Sequence, residues 1–192
     1  MKVKSESELQ NISDADEVYL TEDIEITGDF DTIDMFSGLF DGQEYTISGL
    51  NAPFIDTVSE DAEVKNCTFK SAGSQIFTLN KGLIKSILVT DSEIQTDEYE
   101  DFSIGFLCSI NTSSIKNCTI SDSVVDFDFQ NIGGITGTLT ENSEIVECTV
   151  KYTEIEKGNF VGGIAGNSQE DSTITDTNLS NVSIYGSETG GF

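Results

Sequence analysis

The chain has 192 residues, of which 35 are acidic and nine are basic, so its net charge at pH 7 is −26. That length is sufficient for one domain with a substantial hydrophobic core. The strongly negative surface repels nucleic acids and anionic membranes, which excludes both as partners. Salt adaptation, in which a carboxylate-rich surface stays hydrated and its self-repulsion is screened, is favoured over divalent-cation binding as the cause of this charge.

No segment approaches the roughly 20 apolar residues that a membrane-spanning helix needs. The first residues, MKVKSESELQ, also lack the hydrophobic region of a secretory signal peptide. We therefore expect no membrane insertion, and we expect export to use either a signal outside this chain or a route that needs none.

Strand-forming residues dominate the composition, since Ile, Val, Thr, Phe and Tyr are abundant while Met and Trp are scarce. The first predicted element is nevertheless a helix, because Ser5 and Glu8 have the spacing of a capping box. An alternating strand pattern follows in VYLTEDIEIT, residues 18–27. We interpret residues 1–50 as an N-terminal cap and the first coil of the fold.

A short pattern recurs along the rest of the chain, with the form [Ile/Val]-x-x-[Cys/Ile/Thr]-x-[apolar]. It appears as VKNCTF from Val64, IKSILV from Ile84, IKNCTI from Ile115, IVECTV from Ile145 and ITDTNL from Ile174. The interval from Val64 to Ile84 is shorter than the three that follow, which are nearly equal. A period near 30 with short alternating apolar segments predicts an all-β fold of stacked coils, a β-solenoid or parallel β-helix.

Each repeat needs a corner, because a straight strand returns to the same face only after an even number of residues. The inward residues Ile115 and Cys118 are three positions apart, so we predict a corner at Lys116 and Asn117. Stacking places the equivalent corner residues in one column: Asn66, Ser86, Asn117, Glu147 and Asp176. The inward column beside it holds Cys67, Ile87, Cys118, Cys148 and Thr177.

Glycine-rich stretches precede the last repeats, as NIGGITGT and FVGGIAGN. A phosphate-binding loop needs a helix after the glycines and usually a lysine, and neither follows here. We interpret the glycines as structural, at tight bends or close backbone contacts that exclude a larger side chain. They are Gly133, Gly134, Gly137, Gly162, Gly163 and Gly166. The interval from Gly105 to Gly134 equals that from Gly134 to Gly163, so we place these three glycines at equivalent positions.

The sequence TGGF, residues 189–192, begins a further copy of this stretch. An open sheet edge would remain at that point. We therefore expect residues 51–192 to form solenoid coils that continue beyond residue 192 or are covered there by another chain.

Three of the four cysteines, Cys67, Cys118 and Cys148, share the inward column, and Cys108 lies elsewhere. Buried free thiols that pack as small apolar groups are favoured. A disulfide between Cys118 and Cys148 is the alternative, although in-register side chains of parallel strands do not point at each other. Zinc is disfavoured because the paired spacings it requires are absent.

The acidic run TDEYEDF is the best calcium candidate, with Asp97, Glu98, Glu100 and Asp101 as ligands. A solvated loop is the favoured interpretation, because the spacing of a calcium-binding loop is absent. No cofactor other than calcium is expected.

Two stretches carry a family resemblance. FSGLFDGQEYTISGL, residues 36–50, resembles a segment common near the start of right-handed β-helix surface proteins. Units such as VGGIAG resemble the GLUG motif, a repeat of bacterial and archaeal cell-surface proteins. The resemblance implies a right-handed parallel β-helix. GLUG repeats occur in adhesin-like proteins and beside peptidase domains, and the repeats themselves are not known as catalysts.

These features predict a non-enzymatic extracellular protein at the cell surface of a salt-adapted microbe. Its role would be structural or adhesive, with a glycan, a cell surface or other copies of itself as the partner. One alternative is a tail fibre or spike in a virion of a halophilic host. Another is a β-helix glycoside hydrolase or lyase. The absence of Arg and His disfavours a lyase. A hydrolase needs two carboxylates, and no pair can be singled out.

Overall fold

The structure is a computed structural model that describes residues 1–13, 15–94, 103–186 and 188–190, with side chains described for these residues except 127–129 and 188–190. Within these ranges the regular secondary structure is nearly all β. The strands are β1 (Lys2–Val3), β2 (Glu17–Leu20), β3 (Ile24–Glu25), β4 (Ile33–Phe36), β5 (Leu39–Asp41), β6 (Thr46–Ser48), β7 (Ile55–Val58), β8 (Glu63–Lys70), β9 (Phe77–Asn80), β10 (Leu83–Thr90), β11 (Glu93–Ile94), β12 (Ser103–Gly105), β13 (Cys108–Asn111), β14 (Ser114–Lys116), β15 (Thr119–Ser121), β16 (Val124–Gly133), β17 (Thr136–Leu139), β18 (Glu144–Val146), β19 (Thr149–Gly162), β20 (Ala165–Ser168), β21 (Thr173–Thr175), β22 (Asn178–Tyr185) and β23 (Glu188–Gly190).

Two long sheets contain these strands. The smaller sheet has the order β20-β17-β13-β9-β7-β4, and the other described strands, apart from these six, belong to the larger sheet. Neighbouring strands in both sheets run parallel. The prediction of an all-β protein with parallel sheets is confirmed.

The predicted helix is also present, as α1 (Glu6–Leu9). The hydroxyl of Ser5 accepts a hydrogen bond from the backbone N–H of Glu8 at 3.3 Å, which is one of the two bonds of a capping box. The Glu8 carboxylate accepts from the backbone N–H of Lys4 at 2.8 Å. Leu9 and Ile12 are fully buried, so this segment packs against the core at the N-terminal end. No helix in the described part of the chain is long and apolar enough to cross a membrane.

The repeats found by pattern pair with one another in register. Ile84 pairs with Val64 on one side and with Ile115 on the other. Ile115 pairs in turn with Ile145, and Ile145 with Ile174. The first four of these side chains are fully buried. The same residue of each repeat therefore stacks on its predecessor in the core.

The ladder begins earlier than the sequence pattern indicated. Val64 pairs with Phe40, which in turn pairs with Val18. Both added positions are fully buried. Aromatic rings fill the core at this end, with ring centroids 5.2 Å apart for Phe40 and Phe54 and 5.5 Å for Phe54 and Phe69.

The predicted corner column is confirmed residue by residue. Its five members all adopt the left-handed backbone conformation, with φ between 51° and 56°: Asn66, Ser86, Asn117, Glu147 and Asp176. One left-handed residue in an extended strand turns the chain, so that Ile115 and Cys118, three positions apart on the two sides of the corner, both face inward.

A second corner column, which was not predicted, lies five residues further along each repeat. Its members also have φ between 51° and 53°: Ser71, Asp91, Asp122, Tyr152 and Asn181. The buried hydroxyl that follows each of three corners donates back to the carbonyl two residues earlier. These bonds run from Ser92 to Thr90 (3.0 Å), from Ser123 to Ser121 (2.7 Å) and from Thr153 to Lys151 (2.9 Å).

The glycine register differs by one residue from the predicted one. Gly105 pairs with Gly133, and Gly133 pairs with Gly162, so Gly134 and Gly163 are not equivalent to Gly105. The reason is the adjacent apolar column, in which Ile104, Ile132 and Val161 stack and are buried. The predicted register would instead place Ile104 opposite Gly133 and leave this column unfilled.

The corner conformation generates a stability prediction at Glu147. A non-glycine residue in the left-handed region costs roughly 1–2 kcal/mol, and Asn tolerates it better than Glu. We expect Glu147→Asn to raise the free energy of unfolding by about 0.5–1 kcal/mol, measured by urea denaturation. The matched control is Glu154→Asn, which removes the same charge from an exposed, extended position of β19. An equal gain in both variants would assign the effect to charge and contradict the corner explanation.

Candidate functional site

A surface groove of about 520 Å³ lies beside the smaller sheet, near the N-terminal half of the chain. Three successive repeats contribute to it, and its lining combines one apolar side chain with hydroxyl, acidic and basic groups. The lining residues are Met35, Ser37, Thr57, Ser59, Glu60, Asp61 and Lys81. A groove of this volume is within the range of small-ligand sites.

The parallel ladder positions these residues. Met35 on β4 pairs with Thr57 on β7. Both side chains face outward, whereas the first and last residues of each strand are buried. Beyond the strand ends, the backbone N–H of Ser59 donates to Phe36 O at 2.9 Å, and that of Lys81 donates to Val58 O at 2.9 Å. The ladder thus continues into the loop and aligns equivalent residues across the groove.

The acidic wall of the groove is a tight turn. The backbone N–H of Ala62 donates to Ser59 O at 3.0 Å, which closes a four-residue turn with Glu60 and Asp61 at its tip. A Cβ at Gly82 would collide with the carbonyl oxygens of this turn. Glycine at that position therefore lets the next repeat approach the turn.

The groove is polar and of mixed charge. Met35 is 56% exposed, so a large apolar surface faces the groove entrance. Lys81 forms no ion pair within the part of the chain that the structure describes, which leaves its ammonium group available to a ligand. Carboxylates, hydroxyls and one ammonium beside an apolar side chain can bind a ligand that carries both hydroxyl groups and apolar faces.

A column of three stacked lysines, Lys65, Lys85 and Lys116, runs along the larger sheet. Glu63 lies 2.7 Å from Lys85 and 3.2 Å from Lys65, and Glu144 lies 2.8 Å from Lys116. Hydrogen bonding from Lys85 lowers the pKa of Glu63, and hydrogen bonding from Lys116 lowers the pKa of Glu144. The carboxylates neutralise the stacked ammonium groups, so this column is not an anion site.

The glycines have a packing role. At four of the six predicted positions, a Cβ would collide with backbone atoms of a neighbouring strand: Gly133, Gly134, Gly137 and Gly166. A Cβ at Gly163 would collide with the Leu179 side chain, and Gly162 pairs with Gly133 and Gly190 in the ladder. Close approach of two strands, without a helix after the loop, leaves no cradle for a phosphate.

All four cysteines are free and buried. At the first corner the thiol acts as a weak hydrogen-bond donor to the carbonyl two residues earlier, from Cys118 to Lys116 at 3.2 Å and from Cys148 to Val146 at 3.3 Å. The hydroxyl of Thr177 makes the same bond at 3.0 Å in the last described repeat. These thiols therefore substitute for hydroxyls in the corner.

Burial also makes the thiols unreactive. Desolvation raises the pKa of Cys108 to about 12, and it raises the pKa of Cys67 and Cys118 as well. Hydrogen bonding from Cys118 lowers the pKa of Cys148, but this side chain is fully buried. A nucleophilic cysteine needs both a lowered pKa and access to solvent. The cysteines are consequently structural.

The predicted calcium ligands Asp97, Glu98, Glu100 and Asp101 lie outside the described residues. Within the described ranges, no group of three or more His, Cys, Asp or Glu side chains could hold a metal ion. The calcium site remains a prediction.

The groove was not predicted, although the sequence carries a signal for it. Ser37, Ser59 and Lys81 follow one another at a constant interval, and Met35, Thr57 and Leu79 share that interval. The early repeats are thus shorter than the later ones, whose period is near 30. A separate search for the shorter period would have aligned the groove residues.

Two solved structures share this fold. The crystal structure of "a putative immunoglobulin A1 protease from Bacteroides ovatus" has a TM-score of 0.68 and 17% identity, over 97% of this chain and 73% of that one. A structure named "IgA1 Protease" has a TM-score of 0.64 and 15% identity, over 98% of this chain and 20% of that one. The chain thus spans one fifth of the second protein.

No family model matches the chain, and no curated protein matches its sequence. The resemblance to GLUG surface proteins therefore stays a prediction. The prediction of a non-enzymatic protein is wrong by this comparison, because both structures that share the fold are named as proteases. At 15–17% identity the likeness shows a shared fold.

The raised pKa of Cys108 predicts a loss of stability in alkali. Above pH 9 the unfolded chain releases the thiol proton while the folded chain keeps it until about pH 12, so ionisation favours unfolding. Over that interval the contribution of Cys108 to the free energy of unfolding falls by up to about 1.4 kcal/mol per pH unit. We expect the stability difference between the wild type and Cys108→Ala, measured by urea denaturation, to shrink between pH 8 and pH 10.5. Parallel pH curves for the two proteins would contradict this.

Proposed function

We propose that the chain is a right-handed β-solenoid. Equivalent residues of successive repeats pair in parallel, and two columns of left-handed corners recur at the same places in each repeat. The crossover connection between two parallel strands of one sheet is right-handed in nearly all proteins. The family resemblance of residues 36–50 and of the glycine units supports the same handedness.

We further propose that this solenoid is an extracellular binding module that attaches to a glycan through the groove. The observation that carries the proposal is that the groove crosses three repeats and combines exposed Met35 with hydroxyl and charged side chains. A linear ligand laid across successive repeats would contact the apolar side chain of Met35, then hydroxyl groups, and then the ammonium group of Lys81. Sugars present hydroxyl groups and apolar ring faces, which these side chains can satisfy together.

The net charge of −26 supports an external, salt-rich location. Counter-ions screen the repulsion between surface carboxylates, since the Debye length falls from about 10 Å at 0.1 M salt to about 3 Å at 1 M. A polar or neutral glycan is also compatible with this surface, whereas a polyanion is repelled.

The groove proposal predicts that Met35→Arg abolishes binding to the glycan that the wild type selects from an immobilised glycan array. The larger side chain would fill the entrance and remove the apolar contact. We expect an affinity loss of at least tenfold by calorimetry, with the melting temperature unchanged because Met35 is exposed.

Ile110→Arg is the matched control, because Ile110 is also an exposed apolar residue on the outer side of the smaller sheet but does not line the groove. Retained binding in Met35→Arg, or equal loss in both variants, would argue against the groove. Failure of the wild type to bind any glycan on the array would reject the glycan as ligand.

A second candidate function is recognition or hydrolysis of immunoglobulin A1 as part of a larger protease. It is supported by the names of both structures that share the fold. The chain has no His, and its thiols are buried, so hydrolysis here would have to use hydroxyl or carboxylate groups. Ser37, Ser59, Glu60 and Asp61 bring both kinds to the groove.

This second function predicts that the chain cleaves or binds purified immunoglobulin A1 and does neither with immunoglobulin G. New fragments on a denaturing gel would indicate hydrolysis, and a stable complex without fragments would indicate recognition. We expect Met35→Arg to reduce either result and Ile110→Arg to leave it unchanged. Neither fragments nor complex with immunoglobulin A1 would contradict this second function.

A further inference from the structure

Most polar side chains of the groove have no partner within the protein. In the part of the chain that the structure describes, five of them form neither a hydrogen bond nor an ion pair: Ser37, Ser59, Glu60, Asp61 and Lys81. Charged groups elsewhere are paired, as Lys85 is with Glu63 at 2.7 Å and Lys116 with Glu144 at 2.8 Å. The groove therefore holds charges that a ligand can neutralise.

Negative charge dominates this part of the surface. Glu60 and Asp61 are both exposed at the tip of their turn, and Lys81 is the one base among the described lining residues. Two further exposed carboxylates lie on the strands beside the groove, Asp34 on β4 and Asp56 on β7. The net charge of −26 adds a long-range field of the same sign. A cationic ligand is therefore attracted to the groove.

The lining narrows the kind of cation. A metal ion needs several ligands, and within the described ranges no group of three or more His, Cys, Asp or Glu side chains could hold one. A quaternary ammonium group binds in a cage of aromatic rings, and the described lining contains no aromatic residue. A primary ammonium group fits better, because it has N–H donors and the carboxylates are acceptors.

We propose that the groove selects glycans that carry free amino groups. The inference rests on the proposed glycan-binding function and names the class of ligand. The ammonium group of an amino sugar donates to Glu60 and Asp61, its ring hydroxyls bond to the hydroxyls of the groove, and an apolar ring face packs on Met35. An N-acetylated sugar has no charge at this nitrogen, so it forms no charge-assisted hydrogen bond there.

The experiment is calorimetry of the 192-residue chain with glucosamine oligomers and with N-acetylglucosamine oligomers of the same length. In mildly acidic buffer, where the sugar amine is protonated, we expect the glucosamine oligomers to bind about tenfold more tightly. Raising the pH until that amine is neutral should remove the difference. Added KCl should weaken the binding of the glucosamine oligomers and leave that of the N-acetylated oligomers unchanged.

The double variant Glu60→Gln/Asp61→Asn removes the charge of the turn and keeps the size of its side chains. It should lower the affinity for glucosamine oligomers about tenfold and leave the affinity for N-acetylated oligomers unchanged. The matched control is Glu141→Gln/Glu154→Gln, which removes two exposed carboxylates outside the groove lining and changes the net charge by the same amount. It should bind both oligomers as the wild type does.

Equal or tighter binding of the N-acetylated oligomers by the wild type overturns the proposal and leaves the groove as a site for neutral glycans. An equal loss of affinity in the control variant also overturns it, because overall charge would then explain the attraction. Tighter binding of lysine oligomers of matched charge would assign the groove to a basic peptide instead. Failure of the wild type to bind any glycan, on the array or in solution, rejects the glycan-binding function itself.

Discussion

The fold depends on one backbone device, a single left-handed residue within an otherwise extended strand. At Asn117 and Asp122 it turns the chain twice in quick succession, so that Cys118 and Ser123 both face the interior. The side chain after each of these two corners donates to the carbonyl two residues earlier, which gives that carbonyl a partner at the bend. Small donors suit this position, and the chain uses Cys, Ser or Thr at most of its corners, whereas Ala72, Ile87 and Val182 follow the others.

The corners explain which parts of the fold could be predicted from the sequence. The odd step from Ile115 to Cys118 required a bend between them, and the left-handed conformation of Asn117 is that bend. The second corner was not found in the same way, because the buried residues that follow it include Ser92, Ser123 and Thr153, which do not continue the apolar pattern. The resulting geometry is imposed by stacking on the neighbouring repeat, which overrides the preference of each residue.

The glycine register and the groove could not be predicted from a single repeat length. Buried Ile104 and Ile132 set the alignment of Gly105 with Gly133, so the true interval is one residue shorter than the glycine pattern indicated. The groove combines side chains that are remote in sequence and that belong to the shorter early repeats. No single residue there signals binding, and only the ladder brings Ser37, Ser59 and Lys81 together. Function likewise could not be read from composition, since the fold is shared with proteins named as proteases.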